Sequence, residues 1–233
     1  MHTAKIKNKG QARLFKNNYL EHLTKTHPLV IWSIYTPIIV FMIYYSVYKI
    51  EMTALHTSIV FIGGMVFWSF FEYIIHRYAF HFVTENEKTI KFVYLLHGNH
   101  HEYPRDRQRL FMPPVPSLLL AIAVFSIVYF IAFLVGIAGS VFAFFPGFML
   151  GYLMYGTMHY AIHAWNPPFK WMKPLWRNHH LHHYKQQERG FGVSSTLWDH
   201  VFGTMFDLKK EKEDKEKEEG LMFVSKQPKT KVL

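Results

Sequence analysis

From Leu110 to Met158 the chain runs for 49 residues without a single Asp, Glu, Lys or Arg. A soluble core helix has no need of such length, and the run suffices for two bilayer crossings of about 20 residues each. Gly136, Gly139 and Ser140 fall near its middle and predict a turn, with helices at about 117–135 and 140–160. Two earlier stretches have the same character: Leu29 to Tyr48 is uncharged for 20 residues, and Leu55 to Phe71 for 17 before Glu72. Joined by the short loop Lys49 to Ala54, they predict spans at about 29–48 and 55–75. Backbone groups in lipid must bond within their own segment, so four such spans in two hairpins mean an all-α integral membrane protein.

Orientation follows from Lys and Arg. The first 28 residues carry Lys5, Lys7, Lys9, Arg13, Lys16 and Lys25, whereas the first hairpin loop has only Lys49 and the second has none. Both hairpin tips are therefore expected outside, with both termini and the remaining segments cytoplasmic. No apolar stretch directly follows the first basic cluster, so no signal peptide is expected. The expected organisation is a basic cytoplasmic segment at 1–28, a membrane domain at 29–206 and a charged tail at 207–233. Within the tail, Lys209 to Glu219 mixes five Lys with six acids, as a solvated helix or disordered segment does, and Lys229 and Lys231 have the spacing of a dilysine retrieval signal. A formal charge of +10 would suit nucleic acid in a soluble chain, but topology accounts for the basic residues here. Membrane lipids are the expected surroundings, and no nucleic-acid partner is expected.

The chemistry lies in histidine. There is no Cys, which excludes a disulfide framework, a zinc ribbon, iron–sulfur ligation and a cysteine nucleophile. Ten of the 16 His fall into four groups: His76 with His81; His97 with His100 and His101; His159 with His163; and His179 with His182 and His183. Each group lies in a segment expected to be cytoplasmic, or at the cytoplasmic end of a span. Residues at i, i+3 and i+4 share a helix face, so three of the groups each aim several rings at one point. His76 and His81 are five apart and predict a widened or broken turn where the second span leaves the bilayer. Neutral imidazole is the commonest metal ligand, and ten converging rings would repel one another strongly if protonated together.

A helical cytoplasmic cap carrying two metal ions, each with about five nitrogens, is the expected arrangement. All-nitrogen sites suit zinc, iron, copper and nickel, but structural zinc takes four ligands and catalytic zinc usually three. Five ligands on an ion that prefers six leave one position free, which suits oxygen chemistry at a di-iron centre. Zinc would displace ferrous iron in purified samples wherever it is available. His2, His22, His27 and His56 read as surface or hydrogen-bonded residues. Glu72, Asp199, His180, His200, Asn178 and Asp106 are candidates for hydrogen bonds that orient the ligand rings. Trp165, Phe169, Trp171 and Trp176, with Lys170 and Lys173, have the mix of a membrane-interface loop, and Arg77, Arg105, Arg107 and Arg109 have the charge to meet an acyl headgroup.

The segment Glu72-Tyr-Ile-Ile-His76-Arg-Tyr-Ala-Phe-His81 and the segment His97-Gly-Asn-His100-His101 resemble the first two histidine boxes of the membrane fatty-acid hydroxylase and sterol desaturase superfamily. Arg109-Leu-Phe-Met-Pro-Pro-Val-Pro116, Gly190-Phe-Gly-Val-Ser-Ser195 and Leu197-Trp198-Asp199 are similar to its fatty-acid 2-hydroxylase branch. The likeness runs from about Glu72 to Phe206. It implies an O2-dependent mono-oxygenase that hydroxylates a long acyl chain beside the carboxyl or amide carbonyl, in a free fatty acid or a ceramide. The resemblance also implies a division of ligands, with His76, His81, His97, His101 and His182 on one metal and His100, His159, His163, His179 and His183 on the other. Many relatives begin with a fused haem electron carrier, whereas here 28 residues precede the first span, so a separate electron-donor protein is expected. Two alternatives stand beside this reading: sterol or carotenoid hydroxylation or desaturation by the same chemistry, and a metal-transporting or metal-binding membrane protein. Transporters place ionisable groups in mid-membrane, and the middles of all four spans are uncharged.

Overall fold

The computed structural model describes residues 6–209; the charged run beyond Lys209 and the dilysine spacing near the C-terminus lie outside the described residues. Those residues form helices and connecting turns and contain no strand. A short α1, Asn18–Leu23, precedes the first hairpin, α2 Pro28–Tyr48 and α3 Ala54–Ile74. Then come α4 Glu87–Val93 and α5 Asn99–Glu102, the second hairpin of α6 Pro114–Leu134 and α7 Val141–Ala164, and finally α8 Lys173–Tyr184 and α9 Leu197–Val201.

All four expected spans are present as helices long and apolar enough to cross a membrane. Their ends differ from the hydropathy reading where local chemistry intervenes. Helix α6 starts earlier, at Pro114, because proline suits the first helical turn, where its missing N–H would have no partner anyway. It stops at Leu134 ahead of Gly136, whose φ of +77° a side chain would strain. Helix α7 runs on to Ala164 before Asn166-Pro167-Pro168 blocks further turns, which puts His159 and His163 on the same helix.

Helix α7 is the central element. Its window of greatest hydropathy is 56% buried, against 28% or less for the other three, so those three turn most of their apolar surface outward, as lipid-facing helices do. Ile31, Tyr35, Ile39 and Met42 recur at one-turn intervals on α2 and pack with Phe145, Phe148, Met149 and Leu153 of α7. Against α3 the contact is backbone to backbone: a Cβ on Gly64 would lie 2.0 Å from the Phe144 carbonyl oxygen, and one on Gly147 1.9 Å from that of Phe61. Small residues allow this approach, and van der Waals contact then supplies the cohesion that lipid solvent does not.

The two hairpin tips meet, with the Tyr45 and Phe142 rings 4.6 Å apart and Ile50 beside Gly139. At the other end the Thr26 N–H donates to the Gln108 carbonyl at 2.8 Å, and Trp32 Nε1 donates to Thr157 Oγ1 at 3.0 Å. The start of α2, the end of α3, the start of α6 and the end of α7 therefore share one end of the bundle, and the shorter helices cap it.

Candidate metal centre

Ten imidazoles converge in this cap. His76 lies in the segment Ile75–Phe80, where α3 widens into a π-helix, and His81 follows directly. A π turn pairs i with i+5, so a spacing that fits an α-helix poorly becomes a single face. A second π segment, Tyr94–Gly98, carries His97 and leads into α5 with His100 and His101. His159 and His163 are one turn apart near the end of α7, and His179, His182 and His183 sit on α8.

The donor nitrogens form two groups: His76, His81, His97, His101 and His182; and His100, His159, His163, His179 and His183. Within each group one nitrogen per ring lies within 4.8 Å of all the others. The membership is the same as the division that the resemblance implies. Each His-x-x-His-His box sends its first and last rings to one group and its middle ring across to the other. Eight of the ten are buried, and His81 and His163 are partly buried.

The spacing tests whether metal ions fit. His97 Nε2 lies 3.1 Å from His76 Nε2 and 2.9 Å from His101 Nε2. In the other group His179 Nε2 lies 2.9 Å from His163 Nε2 and 3.1 Å from His183 Nε2, and His159 and His100 meet at 2.8 Å. An imidazole nitrogen offers one in-plane site, a proton or a lone pair, and cannot hydrogen-bond two neighbours at once. A cation among the lone pairs resolves this. Two nitrogens about 2.1 Å from one ion are about 3.0 Å apart at a right angle and about 3.4 Å apart at a tetrahedral angle. The observed 2.8–3.1 Å therefore fits an ion with five or six donors better than closed tetrahedral zinc. His182 Nε2 and both nitrogens of His81 are buried without a hydrogen-bond partner among the described residues, as waiting ligands would be.

Backbone carbonyls fix the tautomers. His76 Nδ1 donates to Phe191 O at 2.5 Å and His182 Nδ1 to Arg189 O at 2.7 Å. A carbonyl only accepts, so the proton sits on Nδ1 and the Nε2 lone pair turns into the group. Burial, reinforced by neighbouring imidazoles, holds His81, His97, His100, His101, His179, His182 and His183 below the ordinary histidine range, His81 down to about 3. Neutral rings are the form that binds metal.

The loop bearing those carbonyls is tied down by two buried acids. Asp199 accepts from the N–H groups of Phe191 and Gly192 at 2.9 and 2.8 Å, from Thr204 Oγ1 at 2.7 Å and from Asn178 Nδ2 at 3.3 Å. Glu72 accepts from the N–H groups of Val193 and Ser194 at 3.1 and 2.9 Å, from Trp68 Nε1 at 3.2 Å and from the Ser194 hydroxyl. Glu72 thus makes no direct hydrogen bond to a ligand histidine; its partners are Trp68 and the loop. Glu72, Asp199 and Asn178 act on the rings through the loop. Gly190 permits the loop's positive φ of +72°, and at Gly192 a Cβ would fall 2.1 Å from the Ser195 carbonyl oxygen.

Four other expectations do not hold. Asp106 is buried, but it binds Arg109 at 2.6 Å and the Ala12 N–H at 3.2 Å and touches no imidazole. His200 is exposed on α9 and approaches neither group. His180 makes no hydrogen bond to a grouped histidine; its ring centroid is 6.2 Å from that of His163, and it faces a surface cavity instead. Trp176, read as an interface residue, is buried and donates to the Trp165 carbonyl at 2.9 Å, whereas Trp165, Phe169 and Trp171 are exposed as expected. Thr204 and Trp68 escaped the sequence reading, Ser194 stood in a quoted segment without a role, and the carbonyls of Phe191 and Arg189 act in a way that does not depend on side-chain identity.

Comparison with known proteins agrees with this geometry. A family model described as fatty acid hydroxylase matches residues 61–204. A dihydroceramide fatty acyl 2-hydroxylase of Arabidopsis thaliana is 35% identical over 200 residues, covering 86% of this chain and 82% of its own. A ceramide very long chain fatty acid hydroxylase of Saccharomyces cerevisiae is 36% identical over 208 residues, covering 88% of this chain and 52% of its own. The solved structure of full-length scs7p, in which only the hydroxylase domain is visible, matches with a TM-score of 0.78 at 35% identity, over 85% of this chain and 74% of that one. On the family match and the extent of these likenesses, the chain belongs to the fatty acid hydroxylase family.

Proposed function

We propose that this chain is a membrane mono-oxygenase that places a hydroxyl on the carbon next to the carboxyl or amide carbonyl of a long acyl chain. The observation that carries the reading is the pair of five-nitrogen groups buried at one end of a lipid-exposed bundle. His76, His81, His97, His101 and His182 would hold one iron ion, and His100, His159, His163, His179 and His183 the other. When bound, the ions would supply O2 activation, with two electrons from a separate donor protein.

The chain's own residues do the rest. Phe191 O and Arg189 O hold the Nδ1 protons of His76 and His182, which keeps both Nε2 lone pairs aimed inward. Glu72 and Asp199 keep those carbonyls in place. Burial of eight of the ten rings excludes water from the reacting centre. The bilayer delivers the hydrocarbon, and its registration against the cap sets which carbon reacts.

The Lys and Arg distribution supports a cytoplasmic cap and termini, with 1–28 as a basic leading segment, 29–206 as the membrane domain and 207–233 as a charged tail. Against transport stands the position of the histidines, gathered at one end of the bundle with none in mid-span along a pathway. Mass spectrometry of lipids from a host expressing the chain tests the proposal. A gain of one oxygen at the 2-position is expected, lost in His100→Ala and His182→Ala while the protein remains membrane-inserted. Unchanged product in both variants refutes it.

A further inference from the structure

Beside the second histidine group a cavity of about 850 Å³ opens to solvent. Its lining includes His163, His180, Arg105, Arg107, Asn166 and Tyr184, and no Asp or Glu. Arg105 and Arg107 flank Asp106, which is buried and pairs with Arg109, so that acid is already neutralised. Arg107 Nη2 donates to the Ala164 carbonyl at the end of α7 at 3.0 Å, which anchors one edge of its guanidinium on the wall and leaves the remaining N–H groups available. Arg105 is exposed on the wall of the same cavity. Two guanidiniums, two imidazoles and an amide surround one space, and among the described residues no carboxylate lines it.

A membrane protein needs cationic loops, but it does not need two arginines on the wall of a cavity that reaches a grouped histidine. His163 belongs to the cavity and to the second group alike. A carbon next to a carboxyl carbon is one bond of about 1.5 Å from it. An acyl chain presented to the histidine groups at that carbon must therefore hold its polar end within a few bonds of His163, and this polar space adjoins that position. We propose that the cavity binds an oxyanion at the polar end of the acyl substrate, with Arg105 and Arg107 as its donors. The inference rests on the hydroxylase reading and narrows its substrate class to acyl lipids with an anionic end, a carboxylate or a phosphate. Planar guanidinium forks suit both, through charge-assisted bonds.

The test is binding, measured on the full chain in nanodiscs of neutral phosphatidylcholine by displacement of a fluorescent fatty acid. Palmitate is expected to displace the probe at about a tenfold lower concentration than hexadecanol, the same chain without the charge. Arg105→Gln with Arg107→Gln should abolish that advantage while the thermal midpoint stays unchanged. Arg105→Lys with Arg107→Lys should retain part of it. Palmitate outcompeting 1-palmitoyl-glycerol 3-phosphate assigns the oxyanion to the acyl carboxylate, and the reverse order assigns it to a lipid phosphate. Equal displacement by hexadecanol, equal displacement by neutral N-palmitoyl dihydrosphingosine, or an advantage that survives in the glutamine pair overturns the inference. Charge preference without any 2-hydroxylated product would overturn the hydroxylase reading alone.

Discussion

Replacing Asp199 with Ala should weaken one metal group well before the other. Asp199 is fully buried and has four donors around it: two loop N–H groups, the Thr204 hydroxyl and the Asn178 amide. Each buried donor left without an acceptor costs about 1–3 kcal/mol. Local relaxation and entering water reduce the sum, so about 3–5 kcal/mol of stability should be lost, similar to breaking a buried ion pair. The displaced segment carries Phe191 O, which holds the Nδ1 proton of His76 at 2.5 Å. Without that partner His76 is free to turn or change tautomer. Loss of such a partner lowers metal affinity by about 10–100-fold. His76 serves only the group with His81, His97, His101 and His182. A chelator titration of purified protein, followed by metal analysis, should show one equivalent stripped early and the other near its original position. Asp199→Asn, which still accepts from Phe191 and Thr204 through one oxygen, should fall between. Two equivalents held in Asp199→Ala as tightly as in the parent would refute the chain of support from acid to loop to ring.

Acid should release both ions. The imidazoles outside the spans are held below the ordinary value of about 6.5, so as pH drops the unfolded chain takes up more protons than the folded one. Stability and metal retention should both decline from about pH 6.5 downward, and full retention after dialysis at about pH 4.5 would contradict this. Gly147→Ala would set a Cβ 1.9 Å from Phe61 O, and the forced separation of α3 from α7 should cost about 1–3 kcal/mol, read as a lower thermal midpoint in detergent. His200→Ala should leave metal content unchanged and stability within about 0.5 kcal/mol, since the ring is exposed and away from both groups; loss of metal there would refute this.

Hydropathy made the spans legible because lipid demands long uncharged helices, and the spacing of His97, His100 and His101 made a shared face legible because helix geometry is periodic. The five-residue interval between His76 and His81 even pointed to the widened turn that α3 adopts. What the residue string did not reveal was support by main-chain atoms. Phe191 and Arg189 act through their carbonyls, and no residue type announces that. Closeness along the chain also misled. Asp106 lies five residues from His101 yet packs against Arg109 and the N-terminal segment, and His200 follows the buried Asp199 yet is itself exposed. Trp176 looked like a partner for lipid because aromatic residues cluster around it, but α8 needs a buried face of its own to lie on α7.

The crossing-over within each His-x-x-His-His box makes a single turn of helix a ruler. His179 and His183 point into one nitrogen pocket and His182 into the other, so the offset between the pockets is set by the rotation between neighbouring side chains on α8, and α5 repeats the measure from the facing side. Sliding or twisting either helix would misalign both pockets together. The pair can be lost as a unit or kept as a unit, and natural variation in this chain should spare the surfaces that fix those two helices more strictly than the lipid-facing flanks of α6.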